Sequence, residues 1–358
     1  MTDLWRAAAR LLTLGFPGTT VDPETERLLA LGLGGVVLFS RNVEAPLQVA
    51  ELTRALKRHA PGPLLVGVDQ EGGTVARLRE GFTRWPPFRV LGDTGDSALA
   101  RDVGRALGSE LAAVGIDWNF APVLDVDTNP DNPVIGTRSL GRDPLRVASL
   151  GVAFAEGLLQ AGVAPCGKHF PGHGDTRQDS HHELPRLPHA LERLEQIELV
   201  PFARAIAARL PALMTAHIVF EALDNERPAS LSSAVVNGLL RGRLGFDGVV
   251  VTDDLEMKAI TDHFSIEEVA VQALSAGVDI LLVCHQAELA RRAIDAIVVA
   301  VQNGRVSAGI LQAASSRVAR FAERFARPPV EEAALSVLGC EQHRAVLARL
   351  LAARGAPA

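Results

Sequence analysis

The sequence predicts an α/β protein built as a single (β/α)8 TIM-type barrel. Eight short apolar runs rich in Val, Ile and Leu recur along the 358 residues, and each is followed by a stretch with helical periodicity. Nearly every run has an acidic, amide or basic side chain near or just beyond its C-terminal end, as strands do at the C-terminal rim of a barrel. The runs are LLTLGF (11–16), GVVLFS (35–40), LLVGVDQ (64–70), DWNFAPVLDV (117–126), VAPCGKHFPG (163–172), ALMTAHIVF (212–220), DGVVVTDD (247–254) and VDILLVC (278–284).

The polar residues at the ends of these runs favour a closed barrel over an open sheet. An open doubly wound sheet places its functional residues near one switch point, whereas the strand ends of a barrel all share one rim. We therefore expect one group of distant residues to converge on a single mouth: Asp69, Asp125, Lys168, His169, His217 and Asp253.

The periodicity also predicts the domain organisation. Residues 1–327 form the catalytic barrel, and residues 328–358 form a helical extension that packs on the barrel or is partly disordered. That extension is too short for a second domain. Between the apolar runs, the residues from Leu191 to Ile206 recur mostly every three or four positions and predict a helix.

The composition indicates which binding partners and which cellular compartment to expect. The net charge is −6, and no Lys/Arg cluster is long enough to follow a phosphate backbone, which argues against nucleic acid. The sequence shows neither an export signal nor an apolar run of the ~18 residues that a membrane span needs. The cysteines, at Cys166, Cys284 and Cys340, are odd in number and widely spaced, which is typical of reduced thiols. We expect a cytoplasmic monomer.

The segment from Lys168 to Pro185, KHFPGHGDTRQDSHHELP, carries the highest density of chemically active residues. Asp179 and His181 are two positions apart, so the carboxylate can orient the imidazole and raise its basicity. Prolines and glycines at both ends suit a loop that folds over the rim and moves as an active-site lid. The pair is a candidate general acid and base.

Two adjacent acids end the seventh run, in the motif GFDGVVVTDDLEMKAI. Asp253 stands at the predicted strand end, where a carboxylate can act as a nucleophile. Asp254 is predicted to be the N-terminal cap or a first-turn acid of a helix starting near Leu255.

Three further residues are candidates for binding a polyol. Asp69 ends the third run, and the following glycines allow a tight turn that brings back Arg77. These two residues either hold hydroxyl groups or simply form an ion pair that closes the turn. Arg138 lies between small residues in the long loop after the fourth run, a length that indicates a role at the mouth.

Taken together, these segments resemble bacterial β-N-acetylglucosaminidases (β-N-acetylhexosaminidases) of glycoside hydrolase family three, of the peptidoglycan-recycling type. The resemblance spans about residues 10 to 285 and is most specific in KHFPGHGDTRQDSH. VDQEGG with Arg77, TRSLG and VVVTDDLEM accompany it in the same order.

The resemblance implies a retaining, exo-acting enzyme that removes terminal β-linked N-acetylglucosamine from peptidoglycan-derived or related glycosides, without a cofactor or metal. It implies that Asp253 is the nucleophile and that His181, held by Asp179, is the acid/base in place of the usual second carboxylate. It also implies a set of substrate-binding residues: Asp69, Arg77, Arg138, Lys168 and His169.

Two other functions remain open at this stage. A phosphorylase with the same site would transfer the sugar to phosphate, because a histidine acid/base does not repel that anion as a glutamate would. A metal-dependent barrel hydrolase would instead use a zinc site formed by His169, His173, Asp175, His181 and Asp69.

Overall fold

A closed barrel of eight parallel strands forms the centre of the computed structural model, which describes residues 3–180 and 183–353. The strands pair in chain order, and β8 closes on β1 through Leu12 opposite Leu281. The strands are β1 (Leu12–Gly15), β2 (Gly35–Leu38), β3 (Leu65–Val68), β4 (Trp118–Asn119), β5 (Ala164–Phe170), β6 (Ala212–Thr215), β7 (Val249–Asp254) and β8 (Ile280–Val283). The predicted single (β/α)8 TIM-type barrel is confirmed.

Each of the eight predicted runs contains one barrel strand, and most strand residues are buried on both faces. This double burial explains why the runs are continuously apolar and do not alternate. The fourth run, residues 117–126, was predicted too long, because only Trp118–Asn119 is strand. Pro122 has no N–H to donate, and beyond it a single bridge joins Val123 to Lys168.

Helices surround the barrel, with acidic or hydroxyl side chains capping several N-termini, as Asp143 does for the helix that follows it. They are α1 (Asp3–Ala9), α2 (Pro23–Ala30), α3 (Pro46–His59), α4 (Arg89–Thr94), α5 (Ser97–Ala113), α6 (Pro144–Gln160), α7 (Leu191–Gln196), α8 (Leu199–Ala207), α9 (Lys258–Thr261), α10 (Ile266–Ala276), α11 (Ala287–Gln302), α12 (Ala308–Phe325) and α13 (Glu341–Ala352). None of the helices in the described ranges is long and apolar enough to cross a membrane.

Shorter elements complete the fold. Residues Gln70–Gly72 pair with Val75–Ala76 as a small hairpin at the mouth, and Arg186–Leu187 pairs with Val219–Phe220. Ala234–Arg243 forms a π-helix. Three-residue 3-10 turns occur at Ser40–Asn42, Gly136–Arg138 and Ala229–Leu231, and a longer one at Glu332–Val337.

The predicted helix from Leu191 to Ile206 is divided into α7 and α8. Pro201 lies in the first turn of α8, where its missing N–H cannot donate to the carbonyl of Ile197. An uninterrupted helix would need that bond, so the chain starts a new helix at Leu199.

Residues 329–353 lie against the barrel's outer helices, where α13 packs on α5. One attachment is the buried carboxylate of Glu110 on α5. This carboxylate accepts hydrogen bonds from Gly339 N (2.9 Å) and, at the same distance, from Nδ1 of His343. It also accepts bonds from the backbone N–H and the hydroxyl of Thr83, at 2.9 and 2.6 Å. Burial works to raise the pKa of Glu110, but the bonds from His343 and Thr83 hold it below its usual value.

We predict that Glu110→Ala destabilises the protein by about 3 kcal/mol, because it leaves several buried donors without an acceptor. Urea unfolding followed by circular dichroism measures the change. The control is Glu288→Ala, since Glu288 is exposed and its ion-pair partner Arg291 is exposed as well. Equal midpoints for the two variants would show that the Glu110 contacts do not hold the extension.

Candidate active site

One cavity of about 300 Å³ opens at the C-terminal ends of the barrel strands. Asp253 and the five residues predicted to bind substrate all line it: Asp69, Arg77, Arg138, Lys168 and His169. Of the other residues expected to converge there, Asp125 and His217 lie behind the lining and contact the residues that form it. The volume is at the lower end for ligand sites, which suits a single sugar unit.

A network of buried ions forms one wall of the cavity. The Lys168 ammonium lies 2.7 Å from Asp69 Oδ1 and 2.6 Å from Glu71 Oε1. Arg138 donates two bonds of 2.8 Å to the two oxygens of Glu71. This two-pronged geometry fixes the guanidinium as well as neutralising it.

The charges in this wall are stabilised by one another. Burial works to lower the pKa of Lys168, but the carboxylates of Asp69 and Glu71 raise it above its ordinary value. Burial works to raise the pKa of Glu71, but Arg138 and Lys168 hold it well below its usual range. Both groups therefore stay charged at neutral pH, and the wall offers fixed donors and acceptors to hydroxyl groups.

Glu71 was not among the predicted site residues, although it lies within the quoted VDQEGG motif. The available signal was its position, because Glu71 stands two residues beyond Asp69 in the same short segment. Buried cations such as Lys168 and Arg138 need anionic partners, and an acid at this position can supply one.

Arg77 is brought into the cavity by the hairpin at residues 70–76. Its backbone N–H and that of Leu78 donate to Oε1 of Gln70, at 2.8 and 3.1 Å. The guanidinium is 3.4 Å from Asp69 Oδ2, a long ion pair. Within the described part of the chain, its buried Nε has no hydrogen-bond partner. Arg77 thus closes the turn and also lines the cavity.

Asp253 occupies the end of β7, where its Oδ1 accepts the N–H of Asp254 at 2.8 Å. Burial works to raise the pKa of Asp253, but neighbouring His169 and His217 lower it. The Asp254 N–H and the charge of Lys168 act in the same direction, so the net pKa is below the usual value. An aspartate that remains ionised in a cavity is suited to nucleophilic attack.

The predicted role of Asp254 as a helix cap is wrong. Helix α9 begins at Lys258, three residues later than expected, and Met257 occupies the cap position. Asp254 instead closes a turn by accepting the N–H of Glu256 at 3.0 Å, and it lies 3.5 Å from the Nε2 of His285. Asp254 and His285 both line the cavity.

His169 is held by a buried carboxylate. Its Nδ1 lies 2.7 Å from Asp125 Oδ2, and its backbone N–H donates to Oδ1 of the same residue at 3.1 Å. His173 N also donates to that Oδ1, at 2.7 Å. Burial works to raise the pKa of Asp125, but His169 holds it below normal. Asp125 thereby fixes both the imidazole in the cavity and the start of the following loop.

The loop continues from His173 towards the predicted acid/base. The His173 ring lies between the hydroxyls of Thr176 (2.8 Å from Nδ1) and Ser180 (3.0 Å from Nε2). Ser180 lines the same cavity as Asp253, and its carbonyl accepts the N–H of Ala259. His181, the residue after Ser180, lies outside the described residues.

Asp179 is described, and its carbonyl accepts the N–H of Glu183 at 3.1 Å. The pairing of its carboxylate with His181 remains a prediction. The preceding part of the loop, expected to move, is tied to the loop after β4. Asp175 is bonded to the Thr128 hydroxyl at 2.9 Å, and Gly174 passes so close to Val126 O that a Cβ would lie 1.7 Å from it.

The residues named for a zinc site make other contacts. His169 is bonded to Asp125, and Asp175 lies 2.6 Å from Nε2 of His189. Among residues 3–180 and 183–353, no three His, Cys, Asp or Glu side chains are grouped as metal ligands.

The barrel, and a mouth lined with charged groups that suit a polyol beside an ionised aspartate, are those of a glycoside hydrolase. The family model of the glycosyl hydrolase family 3 N-terminal domain matches residues 9–321 of this chain. The chain belongs to this family.

Individual relatives and solved structures support the same family assignment. The β-hexosaminidase of Alkalilimnicola ehrlichii is 44% identical over 284 residues, 77% of this chain and 81% of the relative. A family 3 β-N-acetylglucosaminidase structure from Paenibacillus sp. str. FPU-7 superposes with a TM-score of 0.93 at 42% identity, covering 99% of this chain and 69% of that one. NagZ from Neisseria gonorrhoeae, in complex with N-trifluoroacetyl-D-glucosamine, gives 0.80 at 34% identity over 96% and 98%.

Protonation of His173 is expected to make stability depend on pH. Burial, with the nearby charge of His169, lowers the pKa of His173 from 6.5 to about 4. Between pH 6.5 and pH 4, His173 is protonated in the unfolded chain but stays neutral in the folded protein. The free energy of unfolding therefore falls as the pH falls from 6.5 to 4, by up to about 3 kcal/mol. Urea unfolding at several pH values measures the slope.

The comparison variant is His173→Gln, which should have a flatter slope over that interval. His263→Gln makes the same change at an exposed position and should keep the wild-type slope. If the free energy of unfolding depends on pH equally in His173→Gln and in the wild type, His173 is not the group whose protonation lowers stability.

Proposed function

We propose that the protein is a retaining, exo-acting β-N-acetylhexosaminidase that removes terminal β-linked N-acetylglucosamine through a covalent glycosyl-Asp253 intermediate. The observation that carries this proposal is the position of Asp253, ionised and in one small cavity with the network of Asp69, Glu71, Arg138 and Lys168. The names of the relatives support the same sugar. The proposed substrates are peptidoglycan-derived or related glycosides, and action as a cytoplasmic monomer remains a prediction.

Substrate binding is assigned to the charged wall. Asp69 accepts hydroxyl protons, while Arg77, Arg138, Lys168 and His169 donate to the oxygens of the terminal sugar. Because the donors and acceptors are already held in place, little reorganisation is needed when the sugar binds. The cavity admits one sugar unit, which supports removal of terminal residues rather than cleavage inside a chain.

In the first step, an oxygen of Asp253 attacks the anomeric carbon while the bond to the leaving oxygen breaks. His181, assisted by Asp179, gives its proton to that oxygen. In the second step His181 removes a proton from water, whose oxygen attacks the anomeric carbon and releases Asp253. Two displacements retain the configuration of the sugar. The lining of the cavity by Ser180, next to His181, supports this assignment.

We predict that Asp253→Asn lowers kcat at least ~10³-fold, because the amide cannot form the glycosyl ester. Binding of N-acetylglucosamine, measured by calorimetry, should change little. In the wild type, a slow fluorinated N-acetylglucosaminyl donor followed by peptide mass mapping should place the label on Asp253. Full activity in the Asn variant, or a label on another residue, would remove the central assignment.

His181→Ala should show a different pattern of losses. Glycosides with poor leaving groups need protonation, so their first step should slow by about 10²-fold or more, whereas dinitrophenyl glycosides need little help. The kcat/KM values of a series of aryl glycosides measure this dependence. A loss of the same size for every leaving group would show that His181 is not the acid.

A further inference from the structure

The end of β7 is not held by regular sheet pairing where the nucleophile stands. On the β6 side, the last paired residues are Thr215 and Thr252. On the β8 side, the register shifts between Val251 and Asp254. Asp253 therefore stands in an irregularity of the ladder, a feature that re-aims a side chain.

His217, two residues beyond the end of β6, spans this irregular region. Its Nε2 lies 3.0 Å from the carbonyl oxygen of Asp254, and its Nδ1 lies 2.6 Å from the hydroxyl of Ser230. A carbonyl oxygen only accepts, so Nε2 carries the hydrogen, and Nδ1 accepts from Ser230. His217 is 1% exposed and is not part of the cavity lining, so it is placed to act through β7.

We propose that His217 is a positioning residue that aims the Asp253 carboxylate by fixing the backbone of Asp254. This inference rests on the proposed role of Asp253 as nucleophile. The Nε2–H of His217 replaces a missing ladder bond, and the Ser230 hydroxyl selects the tautomer that can donate it.

The geometry explains how the effect reaches the reacting atom. Asp254 is held on both sides: its carbonyl accepts from His217, and its N–H donates to Oδ1 of Asp253 at 2.8 Å. Loss of the first bond frees the peptide that supplies the second. Burial lowers the pKa of His217, which agrees with a neutral hydrogen-bond donor. Misplacement of a reacting group by about 1 Å can cost ~10²-fold in rate.

Two substitutions separate the two bonds of His217. In His217→Gln, the side-chain amide nitrogen falls at the position of Nε2 and keeps a donor for Asp254 O. In His217→Asn, the shorter amide reaches the position of Nδ1 only, so it keeps the Ser230 contact and leaves Asp254 O without a donor. Ser230→Ala is a smaller change: it removes the hydroxyl that donates to Nδ1, so His217 is no longer held in the tautomer with its hydrogen on Nε2.

The main measurement is the rate at which a slow fluorinated N-acetylglucosaminyl donor labels Asp253. We expect His217→Asn to lower this rate and kcat about 10²-fold, to the same extent for good and poor leaving groups. Affinity for N-acetylglucosamine should change little, and the thermal midpoint should fall only modestly, because one buried carbonyl loses its donor. His217→Gln should retain most of the rate, and Ser230→Ala should lose about tenfold.

Several results would overturn the inference. Labelling at the wild-type rate in His217→Asn would do so, as would an equal loss of rate in the Gln and Asn variants. A loss of sugar affinity or thermal midpoint that accounts for the whole rate change would indicate a merely structural role. If His217→Asn does not fold, wild-type labelling by Ser230→Ala decides against the proposal. A wild-type label away from Asp253 would instead refute the proposed function itself.

Discussion

The placement of the Lys168 ammonium between the carboxylates of Asp69 and Glu71 is the interaction on which the mouth of the barrel depends. A buried ammonium is costly unless it is paired and hydrogen-bonded. The pairing brings the end of β5 to the end of β3, and Arg138 extends it to the loop after β4. The same contacts that compensate the buried charges therefore form one wall of the cavity.

Behind this wall, a second group of buried polar residues sets the orientation of the first. Asp125 binds the ring of His169 and two backbone amides, and His217 binds the backbone beside Asp253. Neither Asp125 nor His217 lines the cavity. The side chains that line the mouth are thus held in place by residues that do not line it.

The sequence was sufficient for the barrel because burial on both faces produces apolar runs, and the polar ends of those runs mark the rim. It was insufficient where geometry depends on contacts between distant segments. Asp254 is of a residue type that often caps helices, but β7 continues through it and the chain turns before α9. Glu71 was overlooked because its partners come from Lys168 and Arg138, about 97 and 67 positions away along the chain. The break between α7 and α8 was missed because periodicity persists across Pro201 and hides the lost hydrogen bond.

The carboxylate of Glu110 joins parts of the chain that are made far apart in time. Thr83 precedes Glu110 by 27 residues, whereas His343 follows Glu110 by 233. During synthesis, the donors of Thr83 are therefore available as soon as α5 forms, but those of Gly339 and His343 arrive only after a further 229 residues or more. The carboxylate receives its full set of donors only when α13 docks on α5, so this helix completes its packing after all eight barrel strands have been made.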